Sequence, residues 1–123
     1  MKLSTNLVVD NLRDVADPAK RIEDMGFSTL CISERKHDPF MQLAVAAVNT
    51  DRIKLTTEIA LAFPRNPMVL AYTAWDLQNA SQGRFILGLG TQVKAHNERR
   101  FGLKWEKPGP KLREYIMAIR AIW

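Results

Sequence analysis

A short apolar run followed by a helix start recurs four times along these 123 residues, and this repeat restricts the fold more than any other feature. The runs contain β-branched residues and are bounded by turn formers, which is typical of buried strands. In three of the four cases an Asp or Asn stands directly before a Pro, which predicts a capped helix N-terminus. The predicted strands cover residues 3–9, 27–33, 53–60 and 84–89, and the helices begin at Asp17-Pro18, Asp38-Pro39, Asn66-Pro67 and Gly109-Pro110.

Strands that alternate with helices at a spacing of roughly 25 to 30 residues predict a parallel sheet with right-handed crossovers. A doubly wound nucleotide-binding sheet would carry GxGxxG after its first strand. No glycine follows that strand here, and the later pair Gly88 and Gly90 is followed by Val93 where the third glycine belongs. A (β/α)8 barrel of about 250 residues fits the even repeat better. We therefore expect an α/β fold, the N-terminal half of a (β/α)8 TIM barrel with four parallel strand–helix units, as a single incomplete domain over residues 1–123.

The composition is that of an ordinary globular protein, with 46% hydrophobic and 25% charged residues. The longest apolar runs fall far short of the ~20 residues of a membrane-spanning helix, and we expect no signal segment and no membrane partner. The single Cys31 lies in an apolar run without a disulfide partner, which indicates a buried structural thiol. These features predict a cytoplasmic protein.

The net charge is +5, and the positive residues concentrate between positions 94 and 113. Such a cluster suits a phosphate-bearing cofactor or a nucleic acid, although most charge runs are simply solvated surface. A remote alternative function is therefore a non-catalytic basic module that binds anionic polymers. It would act through Lys94, Arg99, Arg100, Lys104 and Lys107. We expect no nucleic-acid partner.

Chemistry in parallel α/β folds collects on the loops that leave the carboxyl ends of the strands, here residues 10–15, 34–38, 61–66 and 90–104. His37 lies in the second loop, where an imidazole suits general acid–base work near neutral pH, unless it is an ordinary surface residue. Asp38 is expected to cap the following helix.

The chain has two histidines and one cysteine, and their spacing does not match that of metal ligands, which predicts no metal site. Because GxSxG and paired carboxylates are also absent, the sequence favours an enzyme whose cofactor does the chemistry.

Five segments of the chain carry a family resemblance: ERKHDPF (34–40), LTTEIALAFPRNP (55–67), AYTAWDL (71–77), SQGRFILGLGTQV (81–93) and HNERRFG (96–102). Together they resemble the luciferase-like monooxygenase superfamily, most closely its deazaflavin-dependent oxidoreductases that use coenzyme F-420. The resemblance implies a barrel that binds a flavin or deazaflavin at the carboxyl ends of its strands and transfers hydride to or from an organic small molecule. An FMN-dependent monooxygenase that uses molecular oxygen is the alternative.

The same resemblance implies a second half of the barrel, so the chain is expected to be an N-terminal fragment. Half a barrel leaves open strand edges and, we expect, an exposed apolar inner face. Both features favour association. We therefore expect a homo-oligomer, with little turnover by the isolated chain.

The resemblance also implies roles for particular residues. His37 corresponds to a histidine that family members using a deazaflavin place near the reactive carbon. A glutamate that follows the fourth strand in some relatives is replaced here by Thr91, so no carboxylic acid stands at this position. Gly90, Thr91 and Gln92 are expected to contact the cofactor, since a hydroxyl and an amide can still hydrogen-bond a ring system.

At the end of the third strand the resemblance implies a non-proline cis peptide bond, which we expect at Glu58-Ile59. The backbone of Glu58, Ile59 and Ala60 would then support the back face of the cofactor ring. Non-proline cis bonds occur at well under ~0.1% of positions. This prediction therefore depends on the resemblance alone.

Overall fold

The computed structural model describes residues 2–123, in which six short strands lie parallel to one another. The strands are β1 (Ser4–Asn6), β2 (Thr29–Ile32), β3 (Lys54–Thr57), β4 (Ala60–Leu61), β5 (Phe85–Ile86) and β6 (Leu89–Gly90). One sheet has the order β1-β2-β3-β5, and a second sheet pairs β4 with β6. The predicted strands 53–60 and 84–89 are each divided in two. The parallel α/β arrangement of strand–helix units is confirmed.

Five helices connect or follow these strands: α1 (Ala16–Asp24), α2 (Pro39–Val48), α3 (Pro67–Ala80), α4 (Lys94–Phe101) and α5 (Pro108–Ile122). A 3-10 turn at Leu12–Asp14 precedes α1. The predicted caps of α2 and α3 are confirmed, because Asp38 Oδ1 accepts from the Phe40 N–H at 2.8 Å and Asn66 Oδ1 accepts from the Met68 N–H at 2.8 Å. No helix within residues 2–123 combines the length and apolarity needed to cross a membrane.

Three helix predictions are wrong in detail. Helix α1 begins at Ala16 without a side-chain cap, so Asp17 lies in its first turn rather than before it. Helix α5 begins at Pro108, one residue before the predicted start. Residues 90–104, expected to form a loop, contain α4, whose polar sequence has no apolar face to predict it. Helix α4 is followed by Gly102 in the left-handed conformation that glycine adopts most readily (φ 65°).

The main sheet has two chemically different faces. One row of paired residues packs against the helices in the core: Leu30, Leu55 and Phe85. Because side chains alternate along a strand, the next row points to the opposite face. That row consists of Asn6, Cys31, Thr56 and Ile86. Only Ile86 among these four is a large apolar residue, so the expectation of an apolar inner face is wrong.

The turn between α2 and β3, at the amino-terminal end of the sheet, is held from one side by Glu23. One carboxylate oxygen of Glu23 accepts from the backbone N–H groups of Asp51, Arg52 and Ile53 at 2.9, 2.6 and 2.9 Å. Its other oxygen accepts from Lys20 Nζ at 2.8 Å. Burial alone would raise the pKa of Glu23, but these donors outweigh it and lower the pKa to about 2.

Arg84 binds the carbonyl groups of the same turn. Its guanidinium donates to the carbonyl oxygens of Ala47, Thr50 and Ile53 at 3.0, 2.8 and 2.8 Å, and to Thr50 Oγ1 at 2.9 Å. A fourth carbonyl, that of Ser81, accepts from Nε at 2.8 Å. One buried carboxylate and one guanidinium therefore satisfy the N–H groups of residues 51–53 and the carbonyl groups of Thr50 and Ile53 in this turn.

Replacing Glu23 with Gln should reduce the acid sensitivity of the fold. Because the pKa of Glu23 is lowered from 4.5 to about 2, its charge stabilises the folded state above pH 4.5, by about 3 kcal/mol. This stabilisation is lost as the pH falls from 4.5 to 2. Between pH 6 and pH 3 the free energy of unfolding in urea should therefore fall about 2 kcal/mol less in E23Q than in the wild type. D24N, which changes an exposed neighbour, should behave as the wild type. Equal acid sensitivity in E23Q and the wild type would contradict this role.

Candidate functional site

His37 lies in an open cleft of about 260 Å³ between the carboxyl ends of β1 and β2. Its Nε2 atom is 3.7 Å from Asp10 Oδ1, and its side chain is half exposed. The buried Gln42 donates from Nε2 to the Val9 carbonyl at 3.1 Å, which ties α2 to the loop after β1. The lining residues are Leu7, Val8, Val9, Asp10, Ser33, Arg35, Lys36, His37 and Gln42. The structure therefore brings two of the predicted loops, 10–15 and 34–38, together at one cleft.

The bond Glu58-Ile59, between β3 and β4, is cis, as predicted. The Glu58 N–H donates to the Ile32 carbonyl at 2.9 Å, and the Ala60 N–H donates to the Gly88 carbonyl at 2.9 Å. The Ile59 carbonyl accepts from the Glu34 N–H at 3.3 Å. These backbone groups are thus paired within the fold, and the side chains of Glu58 and Ile59 reach the surface, with 37% of Ile59 exposed.

Glycines 88 and 90 permit close approach between the two divided strands. A Cβ at Gly88 would lie 2.1 Å from the carbonyl oxygen of Thr57, and one at Gly90 would lie 2.6 Å from Ile59 Cδ1. The buried hydroxyl of Thr57 donates to the Gly88 carbonyl at 2.7 Å and accepts from the Gly88 N–H at 2.8 Å. The predicted cofactor residues at 58–60 and Gly90 are therefore adjacent in space.

A charged network that sequence reasoning missed joins the loop after β2 to the loop after β4. Glu34 Oε2, largely buried, accepts from the Leu61 N–H at 2.7 Å and from Arg65 Nη1 at 2.7 Å. Arg65 Nη2 donates to Asp38 Oδ2 at 2.9 Å, and its guanidinium lies 5.1 Å from the centre of the Phe40 ring. Burial would lower the pKa of Arg65, but the two carboxylates outweigh it and raise the pKa above its usual range. In the sequence, the only sign of this network is that the loops after two neighbouring strands carry opposite charges.

Cys31 is buried, as the sequence predicts for a structural thiol. Burial, together with a hydrogen bond to the carboxylate of Glu58, raises its pKa to about 12. A thiol with so high a pKa remains protonated at neutral pH, which argues against a nucleophile. The side chain of Glu58 thus belongs to the inner face of the sheet, next to Cys31.

Thr91 and Gln92 follow β6 directly, in front of α4. Gln92 has a left-handed backbone conformation (φ 58°), which is uncommon outside glycine. The Thr91 hydroxyl donates to the Gln92 carbonyl at 3.1 Å. Both residues are half-buried at the carboxyl edge of the sheet, beyond Gly90.

Several of the basic side chains have partners within the chain. Lys94 pairs with Glu98 at 3.9 Å, and Lys104 pairs with Glu106. Arg100 Nη1 donates to the Arg35 carbonyl at 2.8 Å. These contacts favour the interpretation of a solvated basic surface. Among residues 2–123, no three His, Cys, Asp or Glu side chains cluster in a way that would hold a metal ion.

Comparison with known proteins identifies the family of this chain. The model of the luciferase-like monooxygenase family matches residues 2–123. The chain therefore belongs to this family. An uncharacterised protein of Mycobacterium tuberculosis is 47% identical over 116 residues, which are 94% of this chain and 34% of that protein. The chain thus spans about a third of the length of the curated relatives it matches.

Two solved structures extend the comparison to the fold. The monooxygenase RslO1 from Streptomyces bottropensis superposes with a TM-score of 0.88 at 26% identity, over 100% of this chain and 43% of that one. The coenzyme F-420-dependent tetrahydromethanopterin reductase from Methanopyrus kandleri superposes with a TM-score of 0.77 at 27% identity, over 93% and 38%. Both matches agree with the prediction of a partial barrel.

Substituting the two close-approach glycines should have unequal effects. G88A places a Cβ against backbone that cannot move without breaking the Thr57 contacts, and it should cost about 3 kcal/mol or more of stability. G90A meets the Ile59 side chain, at 2.6 Å from Cδ1 and 2.9 Å from Cγ1, and should cost about 1 kcal/mol, less than G88A, because a side chain can turn away whereas backbone cannot. G109A, which meets nothing within 4 Å, is the control. Urea unfolding monitored by circular dichroism measures all three, and a G88A variant as stable as G109A would show that the strands do not approach in this way.

Proposed function

We propose that these residues form the cofactor-facing part of an oxidoreductase that transfers hydride between coenzyme F-420 and an organic small molecule. Family membership and the likeness to an F-420-dependent reductase support this choice of cofactor. The observation that carries the proposal is the position of His37, in an open cleft at the carboxyl ends of two strands with a carboxylate 3.7 Å away. This is the edge where a barrel places its reacting groups.

The residues at this edge suit a flat ring system. Ile59 offers an exposed apolar side chain, and Gly90 beside it offers backbone without a side chain. The hydroxyl of Thr91 and the amide of Gln92 follow at the same edge and supply hydrogen-bonding groups. We assign residues 58–60, which would contact the ring through the Ile59 side chain, and the segment 90–92 as the residues that would hold the ring.

A bound deazaflavin supplies the hydride chemistry, and the protein supplies orientation and proton transfer. We assign His37 as the general acid–base group, which holds or releases a proton at Nε2. Asp10, whose Oδ1 lies 3.7 Å from His37 Nε2, can orient the imidazole. No carboxylate stands at position 91, so Asp10 would take the place of the glutamate that some relatives carry after the fourth strand.

The second candidate is an FMN-dependent monooxygenase that uses molecular oxygen. The TM-score of 0.88 against the monooxygenase RslO1, over the whole chain, favours it. The same apolar surface at Ile59 and the same acid–base pair would serve either ring. The two candidates therefore differ in the cofactor that binds and in the molecule with which the reduced cofactor reacts, an organic small molecule or molecular oxygen.

The cofactor is tested by titrating the full-length protein that carries these residues with oxidised F-420 and with oxidised FMN, and by following the change in cofactor absorbance on binding. We expect binding of F-420. Binding of FMN alone would refute the F-420 assignment and favour the monooxygenase. In H37Q the turnover number should fall at least ~100-fold, the usual worth of a general acid–base group, with less change in the cofactor Kd.

The chain supplies a matched control for His37. H96Q changes the only other histidine, which is exposed on α4, and should leave turnover within about twofold of the wild type. Equal turnover in H37Q and H96Q would remove His37 from the acid–base role. If the wild type binds neither F-420 nor FMN, the proposed function as a whole is refuted.

We also propose that the protein associates with copies of itself. Exposed aromatic residues on α3 and at the end of α5 line a cleft of about 370 Å³, which includes Trp75 and Trp123, each with more than half of its surface exposed. Tyr72 is exposed beside them. Contiguous apolar surface of this kind usually marks an interface.

Sedimentation velocity measures this association. The wild type should sediment as a dimer or larger species, and W75E should shift it towards the monomer, because a charge cannot be buried there without a partner. M25E changes an isolated exposed Met after α1 and should leave the distribution unchanged. A monodisperse wild-type monomer would contradict the proposal.

A further inference from the structure

Helix α4 contains a buried polar side chain that the proposed function does not yet use. Asn97 exposes only 2% of its surface and lies at the fourth position of the helix. Asparagine is unfavourable inside helices, because its side chain competes for backbone hydrogen bonds. Its burial at this position therefore requires a specific partner.

The partner is the loop between β6 and α4. Asn97 Nδ2 donates to the Thr91 carbonyl at 2.9 Å and to the Val93 carbonyl at 3.0 Å. Between these two carbonyls lies Gln92, whose backbone has the left-handed conformation (φ 58°). One buried amide thus holds the carbonyl groups on both sides of the one loop residue with a positive φ.

The other hydrogen bonds of this loop are local. The Thr91 hydroxyl donates to the Gln92 carbonyl, and Gln92 Oε1 accepts from the Val93 N–H at 2.9 Å. Val93, which precedes α4, makes no side-chain capping hydrogen bond. Asn97 is therefore the residue whose side chain ties the conformation of this loop to the helix.

The amide oxygen of Asn97 indicates that the residue does more than stabilise the fold. Its Oδ1 is buried and has no hydrogen-bond partner among the described residues. A buried acceptor without a partner is unfavourable, and an apolar side chain of similar size would avoid it. The unpaired Oδ1 of Asn97 therefore destabilises the fold in a way that leucine would not. The amide is useful for its two hydrogen bonds to the Thr91 and Val93 carbonyls, which shape the loop.

We propose that Asn97 is a positioning residue of the cofactor site, which acts by fixing the loop 91–93 so that Thr91 and Gln92 face the ring. The proposal rests on the proposed function, in which segment 90–92 contacts the cofactor. It predicts that loss of the amide affects cofactor binding through Gln92 and affects stability much less.

The test is a double-mutant cycle in the full-length protein with N97L and Q92A, read out by the Kd for F-420 and for FMN. We expect each single variant to weaken binding of the preferred cofactor about tenfold, equivalent to about one hydrogen bond. If Asn97 acts through Gln92, the double variant should bind about as weakly as either single variant. The absorbance spectrum of the bound cofactor should shift in N97L, and the urea midpoint should stay close to that of the wild type.

Asn49 provides a matched control, because its Nδ2 donates to the Val45 carbonyl at 2.8 Å at an exposed helix end away from the site. N49L should leave cofactor binding unchanged. Hydrogen exchange of the peptide covering residues 91–93, measured without cofactor, should be faster in N97L than in N49L. Unchanged exchange, or independent and additive effects on Kd, would overturn the role of Asn97. If the wild type binds neither cofactor, the proposed function fails, and this inference about the cofactor site fails with it even if the exchange result stands.

Discussion

The carboxyl end of the sheet depends on how closely two divided strands approach each other. The hydroxyl of Thr57 makes two hydrogen bonds to the backbone of Gly88, and a side chain at position 88 would meet the Thr57 carbonyl at 2.1 Å. Because this contact fixes the end of β3, β4 can begin again beside β6 and pair with it. The close packing of residues 58–60 against Gly90 follows from that pairing.

A second constraint places the loop that carries His37. Arg65 binds both Glu34 and Asp38, which stand on either side of His37 in the sequence. The loop is therefore anchored at both ends by one guanidinium, and His37 lies within the three residues between these two anchors. Since Glu34 also accepts from the Leu61 N–H, the same network links the loop that carries His37 to β4. The two parts of the candidate site are joined through this one partly buried cation.

The elements that the sequence predicted are those with local signals. Asp38 and Asn66 cap their helices through atoms two residues away, so a short motif was sufficient. Helix α4 has neither a capping side chain before it nor an apolar face, and it was missed. The bonds of Arg65 to Glu34 and of Arg84 to the turn at residues 47–53 join groups 27 or more residues apart, which no local pattern encodes. The cis bond at Glu58-Ile59 came from family resemblance alone.

The two ends of the sheet are maintained by separate sets of residues. Glu23, which is buried, and Arg84, which is half-buried, bind the backbone at the amino-terminal end, whereas the exposed side chains of residues 35–37 lie at the carboxyl end. Mutations in these exposed side chains therefore leave the supports of the fold untouched. A lineage built on this chain can diversify the molecules it recognises while inheriting the same scaffold, with selection acting on each end independently.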